Sequence, residues 1–402
     1  MASIDVSGGH VVGPRVSRLM SNPSPAAVEK LWSEAVAAGG PLIDPGDDTT
    51  SLVTFLWRGD TAATSVGLGV SLPMTRLPGT DLWHGARLLP TDLRTVYCLR
   101  HEGPERFPRH LDGDGPVHVD PINPRRVHFS RDPLDPDDHD CWGSLLELPG
   151  APEEQWTSPA PGVAAGSLTS ARVRSDVLGY ELPVTLYRPA GVSAQGLPVV
   201  VFFDGHLART MLRLPTVLDN LIAAGRIPPV AALLVHNVEA RREPELRPLP
   251  TLARYVVDDL LAWVRATVGA GRPGQDVAGG MSLGGLAATY LGLARPDVFG
   301  GVVAHSGSFW WPVPDHGEPG RLIRDAARAP RSPVRFYLDV GVLEFHAMAD
   351  GMPSQVEFCR AMRDALRANG HHVSYAEYSG AHDYVNWRRT VADGLQAVLA
   401  PS

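Results

Sequence analysis

The pentapeptide Gly280-Met281-Ser282-Leu283-Gly284 constrains this chain more than any other feature, because it reads as a strand-to-helix turn with a serine at its apex. Loop-forming Pro273-Gly274-Gln275 and a very short strand, Asp276-Val277-Ala278-Gly279, lead into it. From Leu283 to Ala294 the small and aliphatic composition is that of a buried helix. A serine on such a turn occupies a strained backbone position, and the flanking glycines remove side chains that would collide with the neighbouring strand and helix. The turn also aims the free N–H groups of a helix N-terminus at a reacting carbonyl. The pattern is short, and a glycine-rich helix start would satisfy it equally well, so partners decide its meaning.

Two partners follow in order. The β-rich run from Pro333 to Val342 reaches Gly341 and then a carboxylate, Glu344, where the C-terminal end of a strand would present an acid. Asp339, inside the strand pattern, and Asp350, in the following loop, compete for that role. Val373-Ser374-Tyr375-Ala376-Glu377-Tyr378 alternates like a terminal strand and leads into Ser379-Gly380-Ala381-His382-Asp383, a glycine-bearing loop before a last helix. Serine, acid, histidine is the chain order of α/β-hydrolases. The expected assignment is Ser282 as nucleophile, His382 as general base and Glu344 as the acid. Any one of the 15 histidines taken alone would be an ordinary surface or core residue; the ordered conjunction carries the reading.

An oxyanion hole is expected from two places. The apolar run Leu197–Phe203 reads as a strand buried on both faces, and it stops at Asp204-Gly205-His206. One donor is the amide of Leu283, the residue after the nucleophile; the other is the amide of Gly205 or His206.

At 402 residues the chain exceeds what one hydrophobic core usually serves, so two domains are expected. Their boundaries are placed at 1–162 and 163–402. Four short β-like runs between Ser51 and Leu99 predict a small antiparallel β-sandwich after a helical or loose start. The Pro/Gly/Asp-rich stretch from Gly103 to about Pro161 reads as a surface linker. From about Ser167 strands and helices alternate, predicting an α/β domain with a mostly parallel sheet. Strands are expected at 182–188, 198–203, 229–236, 300–304, 333–340 and 373–378. Helices are expected near 210–225 and at 251–268, 354–369 and 384–399.

The net charge of −8 gives no basis for nucleic-acid binding, and no stretch approaches the ~20 apolar residues of a membrane span. Met1–Val6 lacks the basic start and apolar centre of a secretory signal, so a cytoplasmic location is expected. Cys98, Cys141 and Cys359 are scattered without metal-ligand spacing. The acidic segment Asp132–Asp140 has two prolines and no cation-loop glycine, and reads as a solvated loop, not a metal site. No metal and no cofactor are expected. Basic residues are nearly all arginine, Lys30 being the only lysine.

With these segments in view, the chain resembles the enterochelin (enterobactin) esterases along almost its whole length. In the N-terminal part the resemblance rests on Val53–Arg58, Leu77–Trp83, Tyr97-Cys98, Asp120-Pro121-Ile122-Asn123-Pro124 and Ser144–Pro149. In the C-terminal part it rests on Gly279–Leu286, Ser306-Gly307-Ser308-Phe309-Trp310-Trp311, Gly341–Glu344 and His382–Arg388. The aspartate-proline-asparagine-proline and histidine-aspartate/tryptophan-arginine segments are the most specific. The resemblance implies an N-terminal β-sandwich, a C-terminal esterase-D-like α/β-hydrolase domain, and hydrolysis of ferric catecholate siderophores in the cytoplasm. It also implies the roles of Ser282, His382 and Glu344, and places Arg242, of an Arg242-x-x-Glu245-Leu246 match, at the border of the active site. One departure is the lack of an aromatic residue shortly after Asp204-Gly205, where only His206 stands.

A ferric triscatecholate is a trianion with flat aromatic faces around a triserine lactone. Cationic and aromatic side chains suit it, and Arg242, Arg388, Arg209, Trp310 and Trp311 are the expected contacts, with Trp57 and Arg58 as further candidates. Tryptophans near strand ends also commonly pack a core or an interface. The partner expected is thus a small molecule, with neither nucleic acid nor membrane; oligomeric state is left open. An esterase or acyltransferase for feruloyl, mycolyl or other acyl groups would share the same triad, and a binding protein that has lost catalysis is the alternative outside enzymes.

Overall fold

In the computed structural model, residues 11–103, 106–109, 111, 115–346 and 351–400 are described. The Met1–Val6 reading and the alternative acid Asp350 lie outside them. The chain divides into two compact units. The first holds Met1–Arg131, His139–Pro152 and Ser379–Asp383; the second holds Asp132–Asp138, Glu153–Tyr378 and Tyr384–Ser402.

The N-terminal unit opens with helices α1 (Pro14–Ser21) and α2 (Pro25–Ala38). Ser24 caps α2 by accepting from the Ala27 N–H at 3.2 Å, and Gly39, at φ 72°, stops it in the left-handed conformation that glycine adopts without strain. Ten short strands follow: β1 (Leu42–Pro45), β2 (Thr50–Arg58), β3 (Ser65–Leu68), β4 (Leu72–Pro73), β5 (Thr75–Arg76), β6 (Leu82–Pro90), β7 (Arg94–Arg100), β8 (Val117–His118), β9 (Arg126–Phe129) and β10 (Cys141–Glu147). They form one sheet of order β1-β2-β6-β5 and another of order β4-β3-β7-β10-β9, with β8 paired to β7. All pairings are antiparallel. Phe55 of the first sheet meets Tyr97 of the second edge-on, ring centroids 5.2 Å apart.

The stretch read as linker therefore needs correction, since β8, β9 and β10 come from it. Its polar motif has a structural reason. Tyr97 donates its hydroxyl to Asp120 Oδ2 at 2.7 Å, and Asn123 Nδ2 donates to that same hydroxyl at 3.1 Å and to Leu145 O at 2.9 Å. The Asp120–Pro124 segment thus satisfies buried polar groups between strands.

The second unit is built on an eight-stranded sheet of order β11-β12-β14-β13-β15-β16-β17-β18. Its strands are β11 (Ser167–Ser175), β12 (Tyr180–Arg188), β13 (Val199–Phe203), β14 (Ala231–Val235), β15 (Asp276–Met281), β16 (Phe299–His305), β17 (Arg335–Gly341) and β18 (His372–Tyr378). From β14 to β18 every pairing is parallel, and β11 and β12 join antiparallel at one edge. The fully buried β13 and β14 are continuous apolar runs, as a sheet covered on both faces requires.

The helices are α3 (Gly205–Thr210), α4 (Leu214–Ala223), α5 (Glu239–Leu246), α6 (Pro250–Arg254), α7 (Ala262–Val268), α8 (Leu283–Ala294), α9 (Arg321–Ala326), α10 (Gln355–Ala368) and α11 (Tyr384–Leu399). The helix expected near 210–225 is α4, entered through Arg213 at φ 54°, and the short α3 precedes it. One differs from expectation: the helix expected at 251–268 widens to i→i+5 bonding over Tyr255–Leu261. A mostly parallel α/β domain preceded by an antiparallel β domain is the architecture observed.

Candidate active site

Strand β15 ends at Met281 and α8 starts at Leu283, so Ser282 alone makes the turn, at φ 55° and ψ −117°. No ordinary L-residue prefers this conformation. It is held by backbone bonds on both sides: Ser282 N donates to His305 O at 2.9 Å, and Ser308 N donates to Ser282 O at 3.0 Å. A Cβ on Gly280 would lie 2.5 Å from the Gly284 carbonyl carbon, so glycine is needed at 280 for this crossing. Ser282 is half-buried, and its Oγ lies 3.1 Å from the Oγ of buried Ser308.

The Asp204–Gly205 loop comes to the same end of the sheet, because β13 is the parallel neighbour of β15. A Cβ on Gly284 would stand 3.3 Å from Asp204 Oδ2. Gly205 itself runs so close to β14 that a Cβ there would meet Leu234 C at 2.7 Å. The Leu283 amide is in the first turn of α8, where no intrahelical acceptor exists.

Asp204, at φ 54°, is fixed by a small network. Arg242 of α5 donates Nε to Oδ1 at 2.6 Å and Nη2 to Oδ2 at 2.8 Å. Asn237 Oδ1 accepts from the Asp204 N–H at 3.1 Å, while Asn237 Nδ2 donates to Glu245 Oε2 at 2.8 Å. Tyr180 donates to Glu245 Oε1 at 2.9 Å. Burial pushes the Glu245 carboxyl up, although the bonds from Asn237 and Tyr180 work against it. Arg242 and Glu245, noted in sequence as a spaced pair, therefore both support Asp204, the first through its carboxylate and the second through Asn237.

Glu344 follows β17 and is buried. Its Oε1 accepts from Gly341 N at 2.8 Å and from Ser306 Oγ at 2.7 Å, and Trp387 Nε1 donates to that Oγ at 3.1 Å. Asp339, its competitor, is held elsewhere. The parallel register of β16 and β17 sets it beside His305, whose Nδ1 lies 2.8 Å from Asp339 Oδ2, both side chains being fully buried.

His382 is exposed, in the segment Ser379–Asp383 that lies in sequence between β18 and α11 and groups with the N-terminal unit. Within that unit Thr95 Oγ1 donates to Asp383 Oδ2 at 2.6 Å, and Val96 N donates to the same oxygen at 3.3 Å.

The expected substrate contacts are differently occupied. Arg388 forms an ion pair with Glu154, Nη2 to Oε1 at 2.7 Å. Arg209 is half-buried on α3, and its Nε has no hydrogen-bond partner among the described residues. Trp310 and Trp311 are partly buried and pack against the apolar core. In the N-terminal unit Trp57 is buried with its ring centroid 4.3 Å from that of His101, tilted at 40°, while Arg58 pairs with Asp81 and Glu29.

Ser308, Asn237 and Glu245 carried no assigned role in the sequence reading; only the repeated Ser306-Gly307-Ser308 spacing pointed toward the first. One further expectation is corrected. Asp132 and Asp135 are buried, not solvated, and Asp132 gathers with His206 and His236. No helix among the described residues is long and apolar enough to cross a membrane.

Comparison with known proteins agrees with this architecture. The family model for the N-terminal domain of enterochelin esterase matches residues 52–157, and the model described as "Putative esterase" matches residues 175–398. The chain is 30% identical to the iron(III) enterobactin esterase of Dickeya dadantii (strain 3937), covering 96% of this chain and 95% of that one. It is 28% identical to the iron(III) salmochelin esterase of Escherichia coli O6:H1, covering 92% and 93%. The crystal structure of ferric enterobactin esterase from Salmonella typhimurium shares the fold at a TM-score of 0.72 and 23% identity, covering 92% of this chain and 98% of that one. A strand-to-helix serine turn, a buried carboxylate after β17 and these matches over both units lead to one conclusion: the chain belongs to the enterochelin esterase family and is an ester hydrolase.

Proposed function

We propose that this enzyme cleaves the ester bonds of a catecholate siderophore trilactone, of the ferric enterobactin kind, and so frees iron in the cytoplasm. The observation that carries the catalytic part is the backbone of Ser282, strained at the end of β15 with the Asp204–Gly205 loop beside the start of α8. The substrate class is supported by the relatives over nearly the full length, which are named for enterobactin and salmochelin.

In this reading His382 takes the Ser282 proton as Oγ attacks a lactone carbonyl, and then returns it to the leaving serine hydroxyl. Glu344 orients the imidazole and stabilises its charged form. The amides of Leu283 and of Gly205 or His206 receive the oxyanion, each worth roughly 3–4 kcal/mol in the transition state. Water then releases the acyl group by the same proton path in reverse. Opening the lactone removes the link that holds three catechols at high effective concentration around iron, which weakens chelation by orders of magnitude. Arg209 is the arginine best suited to meet an anionic catecholate, because Arg242 and Arg388 already hold carboxylates. Trp310 and Trp311 would supply aromatic edges.

The test is mass-spectrometric product analysis on a panel of catechol-serine trilactones, with and without iron, alongside feruloyl esters. Turnover of a trilactone by the wild type, and its loss in Ser282→Ala with binding retained, is the expected result. Rapid turnover of feruloyl esters with none of any trilactone would transfer the assignment to another acyl ester. Binding of the ferric siderophore without cleavage over hours would make the chain a catecholate-binding protein.

A further inference from the structure

Asp132, His206 and His236 come from three separate stretches of the second unit: the segment after β9, the first turn of α3 and the residue after β14. All three are buried, and one ligand-type atom from each lies within 4.8 Å of the others. His236 Nδ1 stands 2.8 Å from Asp132 Oδ2, and His206 Nδ1 stands 3.8 Å from Asp132 Oδ1. Burial would push the Asp132 carboxyl up, but the His236 bond, the Leu134 N–H and the charges of both histidines outweigh it and hold the carboxyl below its usual value.

We propose that these three side chains form a site for one divalent transition-metal cation of the zinc class. Two imidazoles and one carboxylate are the donor set such ions take, and hard cations that prefer all-oxygen shells do not. Donor atoms around a tetrahedral ion with bonds of ~2.0–2.1 Å lie ~3.3 Å apart. The 2.8 Å from His236 to Oδ2 and the 3.8 Å from His206 to Oδ1 bracket that value, and with all three donors within 4.8 Å of one another, loading calls for a modest drawing-in of the side chains.

The surrounding bonds suit metal binding. His236 must present an unprotonated Nδ1 to the ion, with its proton on Nε2, and Thr185 Oγ1 lies 2.9 Å from Nε2 ready to accept it. Asp132 Oδ1 accepts from Leu134 N at 2.9 Å, and Asp138 Oδ2 accepts from Asp132 N at 2.7 Å, so the carboxylate's own loop is fixed. Partners of this kind set ring tautomer and ligand orientation around bound metals. Because His206 lies in the first turn of α3, which starts directly after Asp204, the ion would also pin this turn. The proposal is independent of the ester substrate.

The test uses the full chain, stripped with a chelator and titrated with Co²⁺ as a coloured stand-in for Zn²⁺. Visible absorption and equilibrium dialysis should report one ion per chain, displaced by Zn²⁺ and not by Mg²⁺. Asp132→Asn and His236→Gln should each weaken binding at least ~100-fold, and Thr185→Val about tenfold, with circular dichroism confirming the fold of each variant. X-ray absorption on the cobalt-loaded wild type should show two imidazoles. One-ion binding of equal strength in all variants, binding without imidazole scattering, or no binding above that of surface histidines would overturn the site.

Discussion

Arg242 grips both carboxylate oxygens of Asp204, at 2.6 and 2.8 Å, and Asp204 is the residue that turns the chain from β13 into α3. Burial pulls the guanidinium's pKa down, but the charge and hydrogen bonds of Asp204 more than offset it and the net shift is upward. Arginine's planar fork is what this geometry uses.

Arg242→Ala would leave the 5% exposed Asp204 side chain without its two strongest donors. A stability loss of about 3 kcal/mol is expected, with kcat falling far more than KM rises, since the loop and not a substrate contact is disturbed. Arg242→Lys keeps the charge but not the fork and should recover only part of kcat. Thermal melting and separate kcat and KM values check this. A pure KM effect would return Arg242 to the substrate surface.

Glu344 and Asp339 give opposite expectations when neutralised. In Glu344→Gln the amide oxygen can still accept from Gly341 N and Ser306 Oγ, so melting should change little. Activity should fall about 10²–10⁴-fold, less than in His382→Ala, as when a triad acid loses its charge. Asp339→Asn removes the carboxylate facing fully buried His305 Nδ1 and should cost about 1–3 kcal/mol of stability. A fully active Glu344→Gln would remove Glu344 from the triad.

Asp276 gives the clearest pH signal. It opens β15, accepts from Val199 N at 2.8 Å and Arg272 N at 2.9 Å, and leaves Oδ2 buried without a partner among the described residues. Burial pushes its carboxyl up from 3.8 to about 6, against those two N–H bonds. The folded protein therefore binds this proton more tightly than the unfolded chain does. Its stabilising effect is full below pH 3.8 and is lost as pH rises through about 6. Asp276→Asn keeps an oxygen for both N–H groups and removes the buried charge. The variant should melt higher than wild type at pH 7, by up to about 3 kcal/mol, with the difference fading toward pH 4. Melting curves across that range decide it, and parallel curves for the two proteins would contradict the assignment.

Local sequence carried much of the fold because the second unit's elements announce themselves by periodicity: α11 runs over the same residues, 384–399, that the apolar pattern marks. The serine turn was equally legible, since Gly280 is dictated by its contact with the Gly284 backbone, a near neighbour in the chain. What failed depends on distant partners. The prolines and glycines after Gly103 resemble a linker, yet β10 is recruited by the edge of β7, which no local pattern reveals. Arg242 and Arg388 look like free cations in sequence, but their carboxylates, Asp204 and Glu154, are far away along the chain. Asp339 lies in β17 and Glu344 just after it, and only the register that puts His305 beside Asp339 separates them.

The loop bearing His382 has its own anchor. Asp383, the next residue, is buried and accepts from Thr95 Oγ1 at 2.6 Å and Val96 N at 3.3 Å, all within the N-terminal unit as its contacts define it. If His382 is the base, Thr95 acts as a positioning residue through Asp383. Removing one hydrogen bond to a charged acceptor is worth about 1.5–3 kcal/mol, and part of that loss would appear as a misplaced imidazole. Thr95→Val should therefore lower kcat about tenfold with KM nearly unchanged, while Thr95→Ser, which keeps the hydroxyl, should stay near wild type. Steady-state kinetics on the three proteins separate this from a merely structural role, because a structural threonine would lower melting temperature in Thr95→Val without moving kcat of the folded fraction. Equal kcat in the valine and serine variants would show that the Asp383 anchor does not govern the histidine.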